Sequence, residues 1–170
     1  DIINNNNLIA AGAEAGGLER FQHGSGETLQ TSIAAAYDEK APWFGYYWAP
    51  TAVLGKYPMV AVEVPAYDAE AHTCNGNVDC ANPGFSAYPA SKVVTAAAGG
   101  FSEREPAAAA LMAKVSFTNE QMGEVLAWRL DRNASYDEAA VYFLTNYKDV
   151  WAEWLNDEAR EKLAAILDNG

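Results

Sequence analysis

The chain is poor in the residues that most often do chemistry. Its 170 residues include two cysteines, Cys74 and Cys80, and two histidines, His23 and His72. Basic residues are also scarce, 11 Lys and Arg against 23 Asp and Glu, for a net charge of −12. Phosphate-backbone binding needs clustered Lys and Arg, so nucleic acid is excluded as a partner. An acidic surface also disfavours anionic lipid, and the acidity reads as a solubility device. No stretch approaches the roughly 18 apolar residues that span a bilayer. The opening, Asp1 followed by Asn4-Asn5-Asn6-Asn7, has neither the basic nor the apolar region of a signal peptide. That leaves a cytosolic protein or one whose start has been removed.

Catalytic signatures are missing as well. The G-x-S start at Gly84 lacks the closing glycine of a nucleophile elbow. A cysteine nucleophile with His23 or His72 as base is the remaining enzymatic reading, and it requires a free thiol. Gly24-Ser25-Gly26 before a helix could hold an anion, but it equally makes a turn and an N-cap. The dinucleotide fingerprint fails. No cofactor is expected. Asn75, Asn77 and Asp79 alternate, with Asp68 and Glu70 upstream, as oxygen ligands do in calcium loops. The glycine and terminal glutamate of an EF-hand are out of register, so a solvated loop is the better reading. Cys74, Cys80 and His72 lack zinc-finger spacing.

What is present is a globular composition, half apolar and 12% aromatic. Residues 4–16 and 27–39 predict helices, the latter with Leu29, Ile33, Ala36 and Tyr37 on one face. Residues 19–23, Trp43–Trp48 and Met59–Val64 predict strands. Residues 65–90, rich in Pro, Gly, Asn and Asp, predict a long irregular connection. Within it the close pair in CNGNVDC points to a disulfide Cys74–Cys80 and an oxidising compartment, with two free thiols as the other possibility. From Phe101 onward the chain predicts helices. Pro106 suits a first turn, and Thr118 with Gln121 and Ser135 with Glu138 form capping-box patterns. Character changes near residue 100, from mixed α/β to helical.

The densest feature is WFGYYWAPT, Trp43 to Thr51, in which five of nine residues are aromatic. A cation over an aromatic face is held by about 0.5–2 kcal/mol per contact. Several rings converging on one point suit a methylated ammonium, which cannot donate hydrogen bonds. In extended backbone Trp43, Gly45 and Tyr47 share one face and Phe44, Tyr46 and Trp48 the other. The pattern alone allows either a buried core strand or one wall of a cation cage.

The run WFGYYWAPTAVLGKYPMVAVEVPAYD resembles the substrate-binding proteins of ABC importers for glycine betaine, choline and related methylated amines, which carry a W-x-P element followed by Lys-Tyr and a short apolar strand. Tyr88-Pro89-Ala90-Ser91-Lys92-Val93 is similar to the family's Tyr-Pro-x-x-x-Val element, and Gly100-Phe101 with Pro106 to one of its helix starts. Asp137-Glu138-Ala139-Ala140 and Asp149 through Leu155 are similar to its C-terminal helices. These elements keep their order over roughly residues 25–160.

The resemblance implies an α/β, periplasmic-binding-protein-like type II fold of two lobes with the ligand clamped between them. Family chains are roughly twice as long, as two lobes of ordinary size require. This chain therefore corresponds to the later half. Residues 1–62 would be the remainder of the inserted lobe with the aromatic strand, and 63–170 the returning segment of the other lobe with its C-terminal helices. By resemblance, Trp48, then Tyr47 and Tyr46, are walls of an aromatic box. Trp43 is an alternative wall and Thr51 a polar contact. Trp128, Trp151 and Trp154 are packing residues. The implied function is extracytoplasmic capture of a quaternary amine or amine oxide, such as glycine betaine, choline or trimethylamine N-oxide, for an ABC permease and ATPase complex, without catalysis. A complementing N-terminal half or self-association would close the open sheet edges. The alternative is a protein-interaction module in which the aromatic run is core, recognisable by full burial of Trp48 and Tyr47.

Overall fold

The computed structural model describes residues 2–168, and among them it contains ten helices. In chain order these are α1 (Ile2–Ala10), α2 (Gly26–Glu39), α3 (Ala52–Lys56), α4 (Ala69–Asn75), α5 (Phe101–Arg104), α6 (Pro106–Met112), α7 (Asn119–Arg132), α8 (Tyr136–Asn146), α9 (Lys148–Ala152) and α10 (Asp157–Asp168). The chain divides into two compact units, Asp1–Tyr47 with Met59–Lys92, and Trp48–Pro58 with Val93–Gly170.

In the first unit α1 packs on α4 through polar rather than apolar side chains. Asn6 and Asn7 of α1 are buried, as are Asn75 and Ser86. The Asn6 amide donates to two carbonyls at once, Asn75 O at 3.0 Å and Asn77 O at 2.9 Å. Asn7 Oδ1 accepts from Asn75 Nδ2 at 3.0 Å and from Ser86 N at 3.1 Å. Asn75 Nδ2 also donates to Gly84 O at 2.7 Å. The two carbonyls that accept from Asn6 belong to the Cys74–Cys80 disulfide ring, which is formed as the cysteine spacing suggested. Helix α4 falls inside the expected irregular connection. Asp68 starts it, its carboxylate accepting from Ala71 N at 2.9 Å. The helix α2 begins with a reciprocal Ser25–Thr28 capping box, ends at Lys40 in the left-handed region and buries Ile33.

The second unit is a helical core. Val125 of α7, Ala139 and Phe143 of α8 and Trp151 of α9 are its buried centre, with Trp128, Trp154 and Leu163 packed around them. Phe143 lies between Tyr147 at 5.2 Å and Trp154 at 5.7 Å, both nearly parallel to it. Trp151 is 2% exposed and donates from Nε1 to Leu144 O at 2.7 Å. Both expected capping boxes, Thr118 with Gln121 and Ser135 with Glu138, form. Pro106 opens α6 as expected. Trp128, Trp151 and Trp154 pack, as the sequence implied.

The expected α/β fold is not observed. No strand or sheet is present among the described residues, and the stretches at 19–23, Trp43–Trp48 and Met59–Val64 lie outside any helix or ladder. Their β-branched and aromatic content is genuine. However, β-propensity measures fit to a pleated, half-covered surface, and a strand exists only when a neighbour pairs its backbone. In Met59–Val64 such a neighbour is missing among the described residues, and Val60, Val62 and Val64 are 92%, 60% and 45% exposed.

Candidate functional site

Exposure alternates along the aromatic run even without a ladder. Phe44, Tyr46 and Trp48 are exposed, at 57%, 38% and 50%, while Trp43 and Tyr47 are half-buried. Local geometry explains the inward set. Trp43 donates from Nε1 to Ser32 Oγ at 3.1 Å and so leans on α2. Gly45 permits this, because a Cβ there would sit 2.6 Å from the Trp43 ring. The hydroxyl of Tyr47 is buried. The outward set offers aromatic faces to solvent. The boundary between the two units falls between Tyr47 and Trp48, so the candidates divide, with Trp43, Tyr46 and Tyr47 in the first and Trp48 and Thr51 in the second.

In the first unit Tyr46 belongs to a row of rings that pattern reasoning did not assemble. Tyr46 lies against Tyr88 with centroids 4.6 Å apart and planes 33° from parallel. Tyr88 meets His72 at 5.5 Å edge to face, and His72 meets Tyr67 at 5.5 Å in the same manner. The Tyr88 hydroxyl donates to Asn4 Oδ1 on α1. Burial, reinforced by neighbouring Tyr46, pushes the Tyr88 phenol up to about 12. His72 Nδ1 is buried with no hydrogen-bond partner. Tyr88 was visible in the sequence as part of a Tyr-Pro element, but nothing local ties it to a residue 42 positions earlier.

In the second unit Thr51 caps α3, its hydroxyl accepting from Leu54 N at 3.4 Å. Thr51 lines a recess of about 270 Å³ with Pro50, Leu54, Asn119, Glu120 and Glu124. The Ala49–Pro50 peptide is cis. Glu124 accepts from the Tyr147 hydroxyl at 2.5 Å. Burial first, and then the Glu124 carboxylate, push the Tyr147 phenol above its ordinary range. The Glu120 carboxyl is held low by its own backbone N–H and by Thr118. A larger recess of about 810 Å³ in the first unit is lined by Asn5, Glu14, Arg20 and Gln22 among others, and by none of the expected site residues. Size alone does not identify a site here, since Arg20 is already held by Glu14 and Asn5.

The candidate cation ligands make contacts within the protein itself. Asp68 caps α4, Asn75 is locked in the buried amide network, and Asn77 Oδ1 accepts from Asp79 N at 3.0 Å. Among the described residues no group of three or more His, Cys, Asp or Glu is arranged to hold a metal ion. Both cysteines are in the disulfide, so the thiol-nucleophile reading has no thiol to use.

Residues 3–146 match the family model OpuAC, the substrate binding domain of ABC-type glycine betaine transport systems. The chain belongs to this family. The OpuAC match covers the aromatic run, the disulfide ring, the Tyr88 segment and α7 and α8. It establishes a substrate-binding role in ABC transport of the glycine betaine type, with a small-molecule ligand and a transporter as partners. No helix among the described residues is long and apolar enough to cross a membrane.

Proposed function

We propose that this OpuAC domain captures a methylated ammonium compound outside the cytoplasm and delivers it to an ABC permease and ATPase complex, without catalysing a reaction. Glycine betaine, choline and trimethylamine N-oxide share the head group this chemistry selects. The proposed walls are Trp48, Tyr47 and Tyr46, with Trp43 as an alternative wall and Thr51 as a polar contact. The observation that carries the reading is the outward aromatic set: Tyr46 and Trp48 hold exposed faces instead of filling a core. A permanently charged, methylated cation gains from such faces because its charge is attracted by the ring quadrupole while its methyl groups leave water. The rival reading, an interaction module with a core aromatic run, gains from full burial of both Trp48 and Tyr47; Trp48 is half exposed and Tyr47 is half-buried.

Titration calorimetry with glycine betaine, choline and trimethylamine N-oxide tests the proposal. Saturable binding of at least one, competed by the others, is the expected result. A folded protein that releases no heat with any of the three, and shows no thermal stabilisation by them, refutes it.

A further inference from the structure

We propose that Tyr88 is the positioning residue for Tyr46, and that Asn4 of α1 fixes Tyr88 in turn. This rests on the reading of Tyr46 as a ligand-facing wall. Three observations meet at Tyr88. Its ring packs against that of Tyr46 with centroids 4.6 Å apart and planes 33° from parallel, so it limits how the Tyr46 ring can turn. Its hydroxyl donates to Asn4 Oδ1, which sets how far the ring slides along Tyr46. Its edge contact with His72, itself braced by Tyr67, stops the ring from tipping away.

Asn4 is itself well anchored. Two residues on, Asn6 chelates two carbonyls of the disulfide ring, and Asn7 holds Asn75 and the Ser86 backbone. Ser86 stands two residues before Tyr88, so the same α1 surface grips the Tyr88 segment at both its backbone and its hydroxyl. Asn4, Asn6 and Asn7 therefore clamp the segment from the disulfide ring to Tyr88 at three points. An unbacked tyrosine in a segment without ladder hydrogen bonds would sample several rotamers, and immobilising it on binding would weaken the complex. A tyrosine already stacked has lost that freedom before the ligand arrives.

The test uses the whole chain and four variants: Tyr88→Phe, Tyr88→Leu, Asn4→Ala, and Asn4→Ala with Tyr88→Phe. Glycine betaine affinity is measured by calorimetry. The ring environment of Tyr46 is followed without ligand by NMR of tyrosine-labelled protein, using the ring-current shift imposed by Tyr88. The expected affinity loss is about tenfold for Tyr88→Leu, which removes the backing ring. For Tyr88→Phe and Asn4→Ala it is about threefold each, and the double variant is again about threefold because both delete one bond. The Tyr46 ring signals should move in the same direction in all four variants. Unchanged Tyr46 signals in Tyr88→Leu overturn the proposal whether or not any ligand binds. So does an unchanged affinity in that variant while Trp48→Ala weakens binding. If the wild type binds none of the amines yet the Tyr46 signals respond as expected, the positioning role stands and the ligand assignment fails.

Discussion

Gly55→Ala is the sharpest perturbation the second unit offers. In α3 the Gly55 backbone lies directly against Gly123 of α7. A methyl group built on Gly55 would sit 2.1 Å from the Gly123 carbonyl oxygen, 2.5 Å from its carbon and 3.2 Å from the Ala127 methyl. The blocking atoms are backbone of a 14-residue helix, so they cannot rotate aside. Relief requires α3 to retreat by about an ångström, which uncovers Val53, now 3% exposed. Overpacking of this kind costs about 1–3 kcal/mol, and a backbone clash belongs near the top of that range. Replacing a helical glycine by alanine returns about 1 kcal/mol of propensity, leaving a net loss near 2 kcal/mol. For a chain of this size that lowers Tm by roughly 4–8 °C. The mirror substitution is the control. A Cβ on Gly123 meets its nearest neighbour, Gly55 Cα, at 3.6 Å, an ordinary contact. Gly123→Ala should therefore keep only the propensity gain and raise stability by about 0.5–1 kcal/mol. Thermal melts followed by helical circular dichroism, with hydrogen exchange over residues 52–56, read both. A Gly55→Ala protein that melts with the wild type and protects α3 equally would refute the close-approach argument.

Asn7→Ala should destabilise by about 2–4 kcal/mol in urea titrations, because it strips the acceptor from two buried donors, Asn75 Nδ2 and Ser86 N. Replacing Cys74 and Cys80 by serine opens a seven-residue ring and should cost about 2 kcal/mol by loop-closure entropy, read as a lower urea midpoint that reductant reproduces in the wild type. The Tyr88 phenol is raised in the folded state, so its contribution to stability is complete below the unfolded value near 10 and is lost as pH climbs towards about 12. Stability measured across that window should fall, and Tyr88→Phe should flatten the fall. Trp48→Ala should weaken glycine betaine binding by at least about 1 kcal/mol, roughly fivefold, and calorimetry that finds no change would move the wall elsewhere.

The helical half was legible because its signals are local. Thr118 and Gln121, Ser135 and Glu138, and Pro106 act within one turn of themselves, and each stands where the sequence placed it. The disulfide was legible for the same reason, its cysteines being six positions apart. The strands were misjudged because pairing is not local. Met59–Val64 has the composition of a strand and lacks a neighbour among the described residues. Helix α4 was missed because the Asn, Gly and Pro around it outweighed Asp68 and the alanines that start it.

The candidate site was legible as a composition and not as an arrangement. The residues themselves determined that aromatics concentrate at Trp43–Trp48, that inward and outward rings alternate, and that one disulfide closes a short ring, since each depends on residues a few bonds apart. Only the tertiary structure decided that Tyr46 stacks on Tyr88, that Tyr88 is held by Asn4, and that Asn6 and Asn7 hold the disulfide ring and the Ser86 backbone. Those contacts join residues 42, 84 and about 70 positions apart. No periodicity reaches that far; only the folded path of the chain brings such groups within hydrogen-bonding or stacking distance.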